Sequence, residues 1–98
     1  MIELDSGNVL LKPSQRKQLL TWLRRAVRLG RTLGDCVVRI TMRRVGRTYE
    51  LIARVHDSAG DFACRCRQHD WRRAMRALAG QVADGLHRQR VALASARV

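Results

Sequence analysis

Apolar and polar residues alternate over three successive stretches in the middle of this chain, and this pattern constrains the fold more than any other feature. Every second residue is apolar from Cys36 to Met42, again from Tyr49 to Val55, and again from Phe62 to Cys66. Alternation with a period of two is typical of strands that bury one face. Turn-forming segments separate the stretches at 44–47 and 57–60. The pattern predicts an antiparallel meander of three strands.

A helical pattern precedes the meander. Pro13 suits the first position of a helix, where the backbone N–H is not needed, and apolar residues then recur at spacings of three and four as far as Val27. Gly30 and Gly34 predict the end of this helix and a loop. Residues 2–5 alternate ahead of the helix, which predicts a short first strand.

A second helical pattern follows the meander. Asp70 is a good N-cap, and an apolar stripe runs from Trp71 to Leu86. Each predicted element has one apolar face, so we expect a two-layer α+β sandwich of order β-α-β-β-β-α, with both helices on one face of a four-stranded sheet. The first two strands, joined through a helix, should be parallel. The sequence predicts one domain over residues 1–94 and a frayed tail over 95–98.

The balance of charge predicts an anionic partner. Among 98 residues the chain has 20 Lys and Arg against 8 Asp and Glu, which gives a formal charge of +12. Such a surplus favours binding to nucleic acid. No apolar run approaches the roughly 20 residues of a membrane span, and Glu3 and Asp5 are unlike the start of a targeting segment. We therefore expect a cytoplasmic protein with no membrane partner.

Arginines fall into two predicted groups. Five of them face outward on the meander, against a single acid, Glu50; an ordinary solvated face is the alternative, but it would carry charges of both signs. The others cluster on the helices, where like charges one turn apart repel. The two groups lie on opposite layers, so we expect that no single flat partner touches both. The sheet group is Arg39, Arg43, Arg54, Arg65 and Arg67. The helix group is Arg24, Arg25, Arg28, Arg72, Arg73, Arg76, Arg88 and Arg90.

Neither catalysis nor a cofactor is indicated. The three histidines are scattered, and no glycine-rich phosphate loop is present. A metal site could be imagined from Cys36, Cys64, Cys66 and His69, but the spacing lacks a C-x-x-C pair, and we interpret the cysteines as buried thiols. The aromatic residues of the strands and the second helix occupy core faces, which argues against stacking on bases. We predict a binding protein that has no metal, no cofactor and no small-molecule substrate and is not an enzyme.

Two motifs resemble those of a known family. The opening Ile2-x-Leu4-x-x-Gly7-Asn8-Val9, followed by a helix carrying Arg16, and the later Asp70-Trp71-x-x-Ala74-Met75-x-x-Leu78 resemble the first strand and second helix of the short hibernation promoting factors. These ribosome-associated inhibitors are also called sigma-54 modulation proteins. The resemblance extends from about residue 2 to residue 90 and adds Arg16 to the candidate nucleic-acid-binding residues.

The resemblance implies a stress-response role in ribosome hibernation. The partner it implies is the small ribosomal subunit with its rRNA, bound across the decoding region so that messenger and transfer RNA are excluded. It also implies no C-terminal dimerisation domain, so that pairing of ribosomes would require a separate ribosome-dimerising protein. The residues alone leave two alternatives open. One is a free double-stranded RNA or DNA binder that recognises shape and phosphates. The other is a structural subunit of a larger ribonucleoprotein, or a binder of a protein partner with acidic surfaces.

Overall fold

A computed structural model of the chain describes residues 2–30 and 35–96. Its elements are β1 (Ile2–Asp5), α1 (Pro13–Gly30), β2 (Val37–Val45), β3 (Thr48–Asp57), β4 (Gly60–Gln68) and α2 (Trp71–Ala96). The strands form one sheet in the order β1-β2-β3-β4. β1 is parallel to β2, and the other neighbours are antiparallel. The predicted α+β sandwich, with both helices on one face of a four-stranded sheet, is confirmed.

The core lies between the helices and the apolar face of the sheet. The alternation that predicted the strands also gives their burial: Ile40, Met42 and Leu51 are almost completely inaccessible, whereas their sequence neighbours Thr41 and Arg43 are exposed. Both helices contribute one buried stripe. The stripe of α1 is Leu19, Leu23 and Ala26, and that of α2 is Ala74, Met75, Leu78, Val82 and Leu86.

Side chains satisfy the first backbone groups of both helices. The Lys12 N–H, just before α1, donates to Gln15 Oε1 at 2.9 Å, which is half of a capping box. Asp70 Oδ1 accepts a hydrogen bond from the Arg72 N–H at 2.9 Å, so the predicted N-cap of α2 is confirmed. α1 ends at Gly30 as predicted, whereas Gly34 lies outside the described residues.

α2 extends further than its apolar stripe. It continues to Ala96, two residues into the segment where the sequence predicts a frayed tail, and residues 97 and 98 lie outside the description. The buried stripe nevertheless stops at Leu86. Although 26 residues long, α2 carries too many charges to span a bilayer, and the same holds for α1 among the helices that the structure describes.

The two hairpin turns are tighter than the sequence suggests. The first turn consists of Gly46 and Arg47, so the other two predicted turn residues, Arg44 and Val45, complete β2 instead. They remain in the ladder because each faces a residue of β3. The second turn consists of Ser58 and Ala59, inside the predicted segment 57–60. Asp57 Oδ1 accepts a hydrogen bond there from the Ala59 N–H at 2.9 Å.

The loop between β1 and α1 is fixed against the end of β2. Gly7 has a φ of 54° and a Cβ atom there would lie 2.6 Å from the Met42 carbonyl oxygen, so this position requires glycine. The Asn8 side chain then bonds the Arg44 backbone twice: Asn8 Nδ2 donates to the carbonyl at 3.2 Å, and the Arg44 N–H donates to Asn8 Oδ1 at 2.8 Å. The loop is therefore held like a short extension of the sheet.

Candidate nucleic-acid interface

The five predicted sheet arginines all lie exposed on the open face. Strand register places them in adjacent rows, with Arg39 opposite Arg54 and Arg65 opposite Ile52. Arg43 and Arg67 flank Glu50 from the two neighbouring strands. The sheet therefore brings the group together as the sequence predicts.

The open face is nevertheless close to neutral, and the expectation of a single acid there is wrong. Glu3 and Asp5 face the same side from β1, and Asp61 does so from β4, where it contacts His56. With Glu50 these make four acids against five arginines, a formal surplus of one. The sequence pattern missed Glu3 and Asp5 because it considered the meander without its parallel neighbour β1, and it missed Asp61 because this residue lies next to the predicted turn at 57–60.

Acids also pair directly with two of these arginines. Arg39 Nε lies 3.2 Å from a Glu3 carboxylate oxygen, and Arg43 Nη2 donates to Glu50 Oε1 at 2.7 Å. Glu50 is only 8% exposed although it is on the open face. Arg67 Nε donates instead to Thr48 Oγ1 at 3.1 Å. Much of the positive charge on the sheet is thus neutralised within the protein.

The helical layer carries most of the net charge. α1 contains five basic residues and no acid, and α2 contains five arginines and the single acid Asp84. The helices together therefore account for +9 of the formal +12. Every predicted helix arginine is exposed.

The helix arginines have no acidic partners in the part of the chain that the structure describes. All three ion pairs found there lie in the sheet. Two helix arginines lie over aromatic rings instead: the Arg76 guanidinium carbon is 5.4 Å from the Trp22 ring centroid, and that of Arg72 is 5.5 Å from the Trp71 ring centroid. Arg25 and Arg76 line the same groove between the helices. This layer is a surface of exposed guanidinium groups available to phosphates.

A groove at the edge of the sandwich is lined by one arginine of the sheet, one arginine of the helices and two acids, Asp61 and Asp84. Arg65 of β4 and Arg88 of α2 line a common groove along the outer edge strand. The two groups lie on opposite layers, as expected, and this groove runs between the layers at the edge. A partner that wraps around this edge would contact both groups.

Arg16 has a structural contact that the resemblance did not reveal. Its Nη2 donates to the Leu4 carbonyl at 3.0 Å in a partly buried position. This bond ties α1 to β1, which otherwise has few contacts with the helices. We therefore assign Arg16 to the support of the loop between these two elements as well as to the basic surface.

Sequence reasoning missed four exposed basic residues. Arg44 and Arg47 were assigned to a turn, and Lys12 and Lys17 were not chosen as site residues. Arg44 lies with its guanidinium carbon 5.7 Å from the Tyr49 ring centroid. Arg44 is paired with Tyr49 in the ladder, and residues directly opposite in a ladder share a face. Because Tyr49 packs against the core, Arg44 points to the helix side of the sheet.

The thiols occupy packed positions. Cys66 is buried, Cys36 and Cys64 are half-buried, and all three are thiols rather than disulfides. Burial raises the pKa of the Cys36 thiol, with a contribution from the Asp57 carboxylate, and burial also raises the pKa of Cys64 against the opposing effect of Arg88. The described residues contain no group of three or more His, Cys, Asp or Glu side chains arranged to hold a metal ion.

Comparison with solved structures finds proteins of the same fold, among them one from Thermus thermophilus and one from Coxiella burnetii. The N-terminal domain of Protein Y from Thermus thermophilus superposes with a TM-score of 0.76 at 15% identity, over 88% of this chain and 93% of that one. A ribosomal subunit interface protein from Coxiella burnetii superposes with a TM-score of 0.76 at 13% identity, over 92% of this chain and 97% of that one. The chain shares the fold of both proteins.

The resemblance seen in the sequence is thus confirmed for the fold. No family sequence profile matches the chain, and no curated protein matches it in sequence. The low identity means that side-chain roles must be argued from this chain's own residues.

Proposed function

We propose that this protein is a ribosome-associated translation inhibitor. The observation that carries the proposal is that nearly the whole chain matches the fold of a ribosomal subunit interface protein. In this proposal the protein binds rRNA of the small subunit at the decoding region and excludes messenger and transfer RNA. The role is one of binding, without catalysis or a cofactor, and it is performed in the cytoplasm during stress.

Electrostatics supplies the physical basis of binding. Within residues 2–30 and 35–96, no guanidinium group of the helical layer forms an ion pair with an acid, so phosphates are favourable partners for these groups. Each phosphate contact releases condensed counterions, which is the principal sequence-independent source of affinity for nucleic acid. Repulsion between neighbouring arginines such as Arg24 and Arg28 would be relieved at the same time.

The geometry of the protein favours a partner that encloses it on more than one side. The edge groove at Arg65 and Arg88 joins the helical layer to the open sheet. A cleft in a ribosomal particle would enclose both surfaces, whereas a flat partner would contact one. Pairing of inactive ribosomes, if it follows, is assigned to a separate dimerising protein.

One observation favours a second candidate, a free duplex-binding module. The charge surplus is concentrated on one layer of the sandwich, which is the arrangement that a double-stranded RNA or DNA binder requires. Such a module would bind isolated duplexes as tightly as ribosomal particles.

A competition experiment separates the two candidates. Labelled protein is mixed with purified small subunits that are either vacant or loaded with messenger and transfer RNA, and large subunits serve as the control. The proposal predicts tight binding to vacant small subunits, loss of binding on loading, and inhibition of a reconstituted translation reaction. Equal binding to all particles and to an isolated RNA duplex would instead support the duplex-binding module.

A further inference from the structure

A small cavity at one end of the sandwich combines basic and aromatic side chains. It has a volume of about 370 Å³, in the range of small-ligand sites. It lies where the loop from β1, the hairpin of β2 and β3, and the start of α2 come together. Its lining residues are Asn8, Val9, Leu10, Lys12, Gln15, Arg44, Tyr49 and Trp71.

Two cations at this cavity have no acidic partner. Lys12 and Arg44 are exposed, and neither forms an ion pair with any residue in the ranges 2–30 and 35–96. The Arg44 guanidinium instead lies over the Tyr49 ring. An arginine on an aromatic ring is held in place while its donors remain free for an anion.

An apolar side chain stands at the rim without any packing role. Leu10 is 98% exposed, whereas Val9 beside it is buried in the core. The loop that carries Leu10 is firmly held, because Asn8 bonds the Arg44 backbone and the Val9 N–H donates to the Ser6 carbonyl at 2.9 Å. Leu10 therefore adds an exposed apolar side chain to the rim of the cavity.

Each of the two aromatic rings of the cavity is accompanied by an arginine: the Arg44 guanidinium carbon lies 5.7 Å from the Tyr49 ring centroid, and that of Arg72 lies 5.5 Å from the Trp71 ring centroid. Tyr49 and Trp71 pack against the core with one part of their rings, as the sequence predicts, but both are only half-buried and both line the cavity. An unstacked base needs an apolar or aromatic surface, and its phosphate needs cations close by. This end of the molecule supplies both.

We propose that this cavity binds a single unpaired nucleotide of RNA, with the base against Leu10, Tyr49 and Trp71 and its phosphate against Lys12 and Arg44. The inference deepens the proposed function, on which it rests, by adding recognition of an extruded base to binding by phosphates. The helical layer would supply affinity for any RNA, and the cavity would select sites where a base is free.

The test compares two labelled RNA hairpins that differ only in one bulged nucleotide. Wild-type protein should bind the bulged hairpin about tenfold more tightly than the other hairpin. This factor is in the lower part of the range of affinity gain that stacking of one base provides. In a Trp22→Phe background, in which Trp71 is the only tryptophan, the bulged hairpin alone should quench the fluorescence. Folding of this variant is checked by its circular dichroism spectrum.

Variants assign the preference to the cavity. Leu10→Ala and Arg44→Gln replace exposed side chains and should each reduce the preference to less than threefold. Arg24→Gln on α1 is the matched charge control, and it should weaken both hairpins while their ratio stays unchanged. Equal affinity of the wild-type protein for the two hairpins would overturn the inference. So would binding of free uridine monophosphate as tight as that of the bulged hairpin, because the cavity would then serve a free nucleotide.

Failure of the inference is distinct from failure of the proposed function. The same wild-type protein is tested for binding to vacant small subunits. If it binds the subunits but does not distinguish the hairpins, the cavity is not a nucleotide site and the ribosomal proposal stands. If it does not bind the subunits, the ribosomal proposal fails, and the inference that rests on it falls as well.

Discussion

The ring of Phe62 lies against the backbone of α2 at Gly85, so closely that a Cβ atom at this glycine would overlap the ring. Phe62 comes from the edge strand β4, and the contact therefore sets how near the longer helix approaches the edge of the sheet. The groove that holds Arg65 and Arg88 lies beside this contact and includes both Phe62 and Gly85. A small residue in the helix thus helps to shape the candidate interface.

Gly85→Ala should destabilise the protein. The added methyl group forces Phe62 or the helix to move, and overpacking of this kind costs about 1–3 kcal/mol. Gly80→Ala is the matched control, since nothing lies within 4 Å of a Cβ atom at that position, and it should raise the free energy of unfolding by up to about 1 kcal/mol through helix propensity. Urea denaturation measures both changes, and a stabilising Gly85→Ala would show that α2 does not pack against Phe62.

Glu50→Gln should destabilise the protein more than Glu3→Gln does. Glu50 is largely covered and lies between Arg43 and Arg67, so losing its charge leaves two arginines less compensated. We expect a loss of about 1 kcal/mol, because Arg43 itself remains accessible to solvent and the pair is partly screened. The exposed Glu3 pair should contribute less than about 0.5 kcal/mol. Equal effects in thermal or urea unfolding would contradict this account of Glu50.

The period of the apolar residues predicted most of the fold because burial follows it directly. Alternate residues of a strand face the core, so Met42 and Leu51 are buried whereas Thr41 and Arg54 are exposed. Asp70 caps the helix that its position indicated. These features depend on neighbours in sequence or on regular ladders. A sequence pattern is sufficient to find them.

The charge distribution could not be predicted in the same way, because it depends on which strands become neighbours. Glu3 reaches Arg39 only through the parallel pairing of β1 and β2, which joins residues 36 positions apart. The cavity at Leu10 likewise forms from segments brought together by Asn8 and the Arg44 backbone, a contact with no local signal. From the sequence, candidate residues could be selected only by residue type. The structure shows which of these arginines already form ion pairs with acids.

Salt should weaken the interaction with RNA steeply. If phosphate neutralisation dominates, log affinity falls linearly with log salt, with a slope of about −0.9 per phosphate on a duplex and about −0.7 on a single strand. Removing three arginines from α1 with Arg24→Ala, Arg25→Ala and Arg28→Ala should reduce the slope by about two to three. Fluorescence anisotropy over a salt series gives both values, and a flat response of the wild-type protein would rule out the electrostatic account.

Chelation should leave the melting temperature unchanged. Cys36, Cys64 and Cys66 are packed as thiols, and burial raises the pKa of Cys36 and Cys64, which disfavours the thiolate that a metal would require. Differential scanning fluorimetry with and without EDTA measures the effect. A decrease of several degrees would indicate a structural metal ion.

Co-sedimentation with ribosomal particles tests the central claim most directly, with two variants of equal charge change. One carries Arg24→Glu, Arg25→Glu and Arg28→Glu in the helical layer, and the other carries Arg39→Glu, Arg54→Glu and Arg67→Glu on the sheet. Each helix substitution should cost under about 0.5 kcal/mol of stability. The substitutions at Arg39 and Arg67 should cost more, because they place a second acid beside Glu3 and Glu50, and thermal unfolding checks that both variants are folded. In a sucrose gradient at physiological salt, we expect the wild-type protein to sediment with the small subunit, the helix variant to remain at the top, and the sheet variant to be weakened to a smaller extent. A wild-type protein that remains at the top of the gradient would contradict the proposed ribosomal function.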